Sequence, residues 1–220
     1  MRKRNIALIL AASMMATFAF GGTTAFAAEE GKTDSVTVGI MADPENMGPW
    51  SGMSMGRIAV LFTTYEYLLT REDGVAYGVL AKSWDEVDPK TYDVELYDYI
   101  HDAAGNPLTA SDVVFSFESA IATKNYGKLS VIDSVTATDD YHVEFKFNKD
   151  LEVGEFENVM LECAVVTQAA YEASPDQMAT TPVGTSAYLV DSYVPGSEIV
   201  MKDTGDYWQT DKSLVHGTSI

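Results

Sequence analysis

The chain has 220 residues and a formal charge of −19, with 33 acidic side chains against 14 basic ones. That excess excludes a nucleic-acid partner and docking on an anionic membrane surface. An apolar content of 46% suffices for a packed core, and the length suits one to two domains.

The first segment reads as a leader. Arg2, Lys3 and Arg4 precede an apolar run from Ile6 to Phe20, broken only by Ser13 and Thr17, and Ala25-Phe26-Ala27 follows. This is the pattern of a secretory signal peptide, predicted to be cleaved after Ala27. The run is short for a bilayer span, and no other segment approaches one. The mature chain is therefore expected outside the cytoplasm (periplasmic, extracellular or at the cell envelope) with no stable membrane insertion. Removing three of the 14 basic residues leaves 11 against 33 acidic, a mature charge of −22. Cys163 is the only cysteine, so no internal disulfide forms and no lipid-anchoring thiol lies at the cleavage point. It sits in the apolar run Val159–Val166 and is expected to be a buried, inert thiol.

Val36–Ile40 alternates like a half-buried strand. A turn-rich stretch follows from Asp43 to Gly52. A helix is predicted from about Gly56 to Thr70, burying Ile58, Leu61, Phe62, Tyr65, Leu68 and Leu69, with Gly74 just beyond its end. After the turn Asp88-Pro89-Lys90, Tyr92, Val94 and Leu96 alternate with Asp93 and Glu95, a strand with one face on a core. Thr109 and Asp112 resemble a capping box opening a helix that buries Val113, Phe117, Ala120 and Ile121. Val135–Thr138 and Tyr141–Phe147 flank Asp139-Asp140 as a hairpin with a two-residue turn. A mostly helical stretch is expected from about Asp150 to Ala173. Strands Tyr188–Val190 and Glu198–Met201 close the chain around Pro195-Gly196. Hairpins mixed with helices make an α+β, or mixed α/β, fold.

Chemistry-bearing patterns are sparse. Gly52-Met53-Ser54-Met55-Gly56 is a literal G-x-S-x-G, which would make Ser54 the nucleophile of a secreted hydrolase if it sat on a strand-to-helix elbow. Pro49-Trp50-Ser51 precedes it instead of an apolar strand, so a small-residue loop is the competing reading. His101, His142 and His216 lack zinc-helix spacing, and no phosphate-cradling loop is present, so no metal site and no cofactor are expected. Met47, Met53 and Met55 gather near Trp50, suiting either an adaptable binding surface or a core.

Three ordered segments resemble the extracellular solute-binding proteins of family 5, the peptide/nickel type. They are Leu80-Ala81-Lys82-Ser83-Trp84 with the strand Tyr92–Leu96 and Pro107–Phe117; Pro182-Val183-Gly184-Thr185-Ser186-Ala187-Tyr188; and Asp206-Tyr207-Trp208. Met47-Gly48-Pro49 stands at an earlier family position, upstream of Tyr65-Glu66. The loop Tyr97–Gly105 departs from the family pattern and is expected to differ in shape.

The resemblance implies lobe one of a two-lobed periplasmic-binding-protein-like fold. After the leader at 1–27, residues 28–60 would begin lobe one, 61–180 form a subdomain, and 181–220 return to lobe one before a second lobe. It implies a non-enzymatic, monomeric subunit of an ABC importer that delivers a peptide or other small solute to permease subunits. It also implies ligand contacts from Trp50, Gly52, Met53, Ser54 and Met55, with Gly184, Thr185 and Tyr188 as a second edge. A sensor or structural module with the same fold is the non-transport alternative. Family members run more than twice as far, so the chain is expected to be an N-terminal part.

Overall fold

The structure, a computed structural model, describes residues 37–216. The leader at 1–27 lies outside them, as does Val36. Thr37–Ile40 form no strand. Alternation makes a strand only where a neighbour completes the ladder, and among the described residues no pairing engages these.

Helix α1 runs Met55–Thr64, shorter than predicted. Tyr65 turns to extended backbone, and Glu66 bridges Val165 antiparallel, so the chain leaves the helix to join another segment. Leu61, Tyr65, Leu68 and Leu69 are buried as expected, but the last two arrive through extended backbone rather than helical spacing. Ile58 and Phe62 therefore lie on the outer side of a short helix, 37% and 50% exposed, contrary to the predicted face. Gly74 does not end a helix. It turns the hairpin of β1 (Leu69–Glu72) and β2 (Val75–Gly78) with φ +82°.

The main sheet is antiparallel, in the order β3-β4-β6-β5, from β3 (Ala81–Asp88), β4 (Thr91–Leu96), β5 (Ile132–Ala137) and β6 (His142–Phe147). Val94 pairs with Val143 and Tyr92 with Phe145, so both strands turn the same alternating faces inward. Helix α2 (Ala110–Thr123) buries Val113, Phe117 and Ala120, and Phe117 meets Phe145 edge-on at 4.9 Å. The β5–β6 connection is longer than two residues. Thr138 N–H still donates to His142, and Asp139 Oδ1 accepts from the Tyr141 and His142 amides, so the side chain builds the turn.

The stretch predicted as mostly helical is two six-residue helices, α3 (Glu155–Met160) and α4 (Gln168–Ala173), joined by an irregular buried segment. There Val166 exchanges two hydrogen bonds with the Ser116 hydroxyl of α2. An apolar run buried all round carries no period by which helix and extended chain can be told apart. Cys163 lies within it, fully buried, and burial pushes its thiol well up. The capping box is present. Asp112 Oδ2 accepts from Thr109 N–H at 2.8 Å, while Oδ1 accepts from Gln168 N–H at 2.8 Å. One carboxylate thus starts both α2 and α4.

Strands β7 (Tyr188–Val194) and β8 (Glu198–Asp203) form a separate hairpin. Val190 packs with Met47 and Val60 as a small core distinct from the main one.

Candidate ligand-binding site

The turn-rich stretch 43–54 is an ordered loop fastened by polar side chains. Asp43 accepts from Tyr193 O–H and the Gly196 amide of the β7–β8 hairpin, and from Glu45 N–H at 2.7 Å. These bonds, Tyr193 foremost, hold its carboxyl below the usual carboxylate range. Met47 N–H donates to Ala179, and Tyr65 O–H to the Met47 carbonyl at 2.9 Å. Asn125 Nδ2 donates to the Trp50 carbonyl at 3.0 Å. Arg57, in the first turn of α1, donates from Nε to the Pro44 and Asn46 carbonyls at 3.0 and 2.9 Å, and from Nη1 to Ser51 at 2.8 Å. Gly56 allows the loop to lie this close, since a Cβ there would meet the Ala42 and Asp43 carbonyls at 2.5 Å.

The predicted ligand residues fall into three situations. Trp50 is not on a cleft wall. It is 5% exposed, donates from Nε1 to Ala164 O at 2.9 Å, and packs against Phe115 and Tyr171. Its indole N–H needs a partner when buried, and the irregular Leu161–Thr167 segment supplies one. Gly52, Met53, Ser54 and Met55 do lie at the surface, with Met53 50% and Met55 64% exposed. Gly52 takes φ +86° and Ser54 is extended (φ −145°, ψ 161°). Neither the amide nor the carbonyl of Met53 forms a hydrogen bond among the described residues.

Gly184 and Thr185 are buried, whereas Tyr188 is exposed at the start of β7. A Cβ on Gly184 would come within 1.9 Å of the Thr64 carbonyl, at the last residue of α1. Ser54 begins that helix and Thr64 ends it, so the two predicted sets stand at opposite ends of a ten-residue helix, about 15 Å long. They do not converge on one patch.

Ser54 is the N-cap of α1, its Oγ accepting from Arg57 N–H at 3.3 Å. The histidines are engaged elsewhere: His142 with Asp139, His216 with Tyr77 and Glu72, His101 with the Asp102 carbonyl. No base among the described residues faces Ser54, so no nucleophilic arrangement is assembled there.

Sequence reasoning missed two polar nodes. Glu66, 4% exposed, accepts from Tyr207 O–H at 2.6 Å and Trp208 Nε1 at 2.8 Å, joining two motifs noticed separately. Burial raises its carboxyl, and these donors partly counter that; the Thr185 hydroxyl assists without a well-formed bond of its own. Asp102, buried in the divergent loop, accepts from the Ala104 and Asn106 amides, Asn106 Nδ2 and Thr167 O–H. A lone acid beside an aromatic was the only sequence signal for the first. The Asp-x-x-Gly-Asn turn was available for the second. A surface depression of about 510 Å³ is lined by Lys82, Glu95, Asp98 and Asp139–His142, and includes none of the predicted ligand residues.

Comparison with known proteins agrees with this architecture. Residues 76–218 match the family described as bacterial extracellular solute-binding proteins, family 5 middle. The nickel-binding protein NikA of Staphylococcus aureus is 30% identical over 151 residues, covering 68% of this chain and 30% of NikA. A di/tripeptide-binding protein of Pseudomonas aeruginosa is 26% identical, covering 69% of this chain and 34% of its own. The solved structure of the Bacillus subtilis oligopeptide-binding protein AppA, in complex with a nonapeptide, superposes with a TM-score of 0.68 at 21% identity, over 76% of this chain and 35% of AppA. The chain thus spans about a third of the length of these relatives. The ordered motifs, the mixed fold and the profile match over residues 76–218 together place this chain in the bacterial extracellular solute-binding proteins, family 5.

Proposed function

We propose that this chain is the ligand-capturing part of an extracytoplasmic solute-binding subunit, and that its ligand lies along Gly52–Ser54. The carrying observation is Met53, half exposed, with an amide and carbonyl that are unpaired among the described residues, on a loop fastened around it. An extended ligand backbone can pair there as an added strand. A short peptide is the first ligand class, since it carries the matching groups. The Staphylococcus relative, named for nickel, supports a nickel complex as the second. The small core of Met47, Val60 and Val190 supports grouping residues 28–60 with 181–220, around a 61–180 subdomain. A second lobe closes over the ligand, and both lobes then present it to the permease of an ABC importer. The exported location rests on the leader and the family; among the described residues no helix is long and apolar enough to cross a membrane. The subunit acts as a monomer and catalyses no reaction.

Amide NMR tests this reading. Millimolar trialanine should move the Gly52, Met53 and Ser54 resonances, while calorimetry on the same chain shows no micromolar binding, because part of a clamp holds weakly. Saturating peptide that leaves those three amides in place sinks the assignment.

A further inference from the structure

We infer that Arg57 is the positioning residue that presets the Gly52–Met53 backbone for ligand. Arginine at the third position of a helix lies at the positive end of the dipole, where an acid is favoured, and this first turn contains no acid to offset it. Helix stability therefore gives no reason for arginine here. The loop does.

The guanidinium reaches back to three carbonyls, those of Pro44, Asn46 and Ser51. The amide of the same residue donates to Ser54, its hydroxyl at 3.3 Å and its carbonyl at 3.1 Å. Arg57 thus holds the chain on both sides, at Ser51 by side chain and at Ser54 by main chain. Gly52 and Met53 are the two residues between those holds. With both ends fixed and Gly52 in the left-handed region, Met53 can project its amide and carbonyl outward without loop ordering on binding. The rigid fork suits several acceptors at once, whereas lysine offers one compact charge on a flexible stem.

The role in capture rests on the proposed function, but the pinning is measurable without ligand. Hydrogen exchange on the whole chain would compare the Met47, Gly48 and Ser51 amides, which donate to Ala179, Asn46 and Gly48, with Val94 and Phe145 in the sheet. In Arg57→Lys and Arg57→Gln the loop amides should exchange roughly ten- to a hundredfold faster, with the sheet unchanged. Added methylguanidinium should restore part of the protection in Arg57→Ala. Unchanged loop amides in all three variants, or equal acceleration in the sheet, would overturn the inference. Trialanine shifts at Met53 in the wild type that persist undiminished in Arg57→Gln would overturn the role in capture while leaving the ligand assignment standing.

Discussion

Between Thr91 and Phe147 the chain is held by apolar contact: Val94 against Val143, Phe117 edge-on to Phe145, and Tyr92 stacked on Phe156 at 4.2 Å. Between Asp43 and Ser54, Met47 and Trp50 are anchored by apolar burial, and the backbone around them is held by aimed polar groups, those of Asp43, Tyr65, Asn125 and Arg57, each on a main-chain partner or a hydroxyl. Apolar packing is non-directional, so its loss is felt through the whole core. Hydrogen bonds are directional and local, so their loss frees one segment and leaves the rest folded. A surface meant to present backbone to a ligand has to be fixed by the second means, because it cannot be buried.

That contrast can be broken at several points, beginning with the sheet. Phe145→Ala removes a fully buried ring and should cost about 3–5 kcal/mol in denaturant unfolding. A loss under about 1 kcal/mol would mean that the core does not depend on this contact. Gly184→Ala pushes a methyl into the Thr64 carbonyl and should cost about 1–3 kcal/mol, with far-ultraviolet circular dichroism retained.

Glu66→Gln tests a polar tie buried like the core, and should cost about 1–3 kcal/mol because an amide N–H₂ then faces a donor. It also has a pH signature. Burial raises the folded carboxyl above its ordinary 4.5, so the folded state holds this proton longer than the unfolded state. Stability from this group is therefore greatest below 4.5 and falls as pH rises through the folded value. The gap between wild type and Glu66→Gln should narrow on going from acid to neutral pH; a gap that widens would reverse the sign. Smallest is Ser54→Ala, which removes a helix cap worth about 1 kcal/mol and should leave no esterase activity to lose. Ester turnover abolished by that substitution would revive the hydrolase reading.

Much of the sheet body was legible because its alternation reports burial directly. Tyr92, Val94 and Leu96 face inward as their spacing says, and so do Val143, Phe145 and Phe147. The capping box was legible because it is local, three residues apart. Illegible were features decided by distant partners. Helix α1 stops at Thr64 because Glu66 pairs with Val165, about a hundred residues away, which no local period encodes. Trp50 became a core group because Ala164 offers its carbonyl. Of the candidate site, Gly52–Met55 was visible as a small-residue loop. The fastening by Arg57 was visible only as a cation on the wrong end of a helix.

The shared carboxylate of Asp112 has a consequence for the order of assembly. A six-residue helix cannot persist alone in water, and the first amide of α4 finds its acceptor only on the first turn of α2. The fourteen-residue α2 can form from local contacts, with its cap three residues from Thr109. Helix α4, and with it the Tyr171 ring that packs on Trp50, then has to wait for α2. Within the loop at 43–54, Trp50 accordingly gains its Tyr171 contact only once α2 is in place.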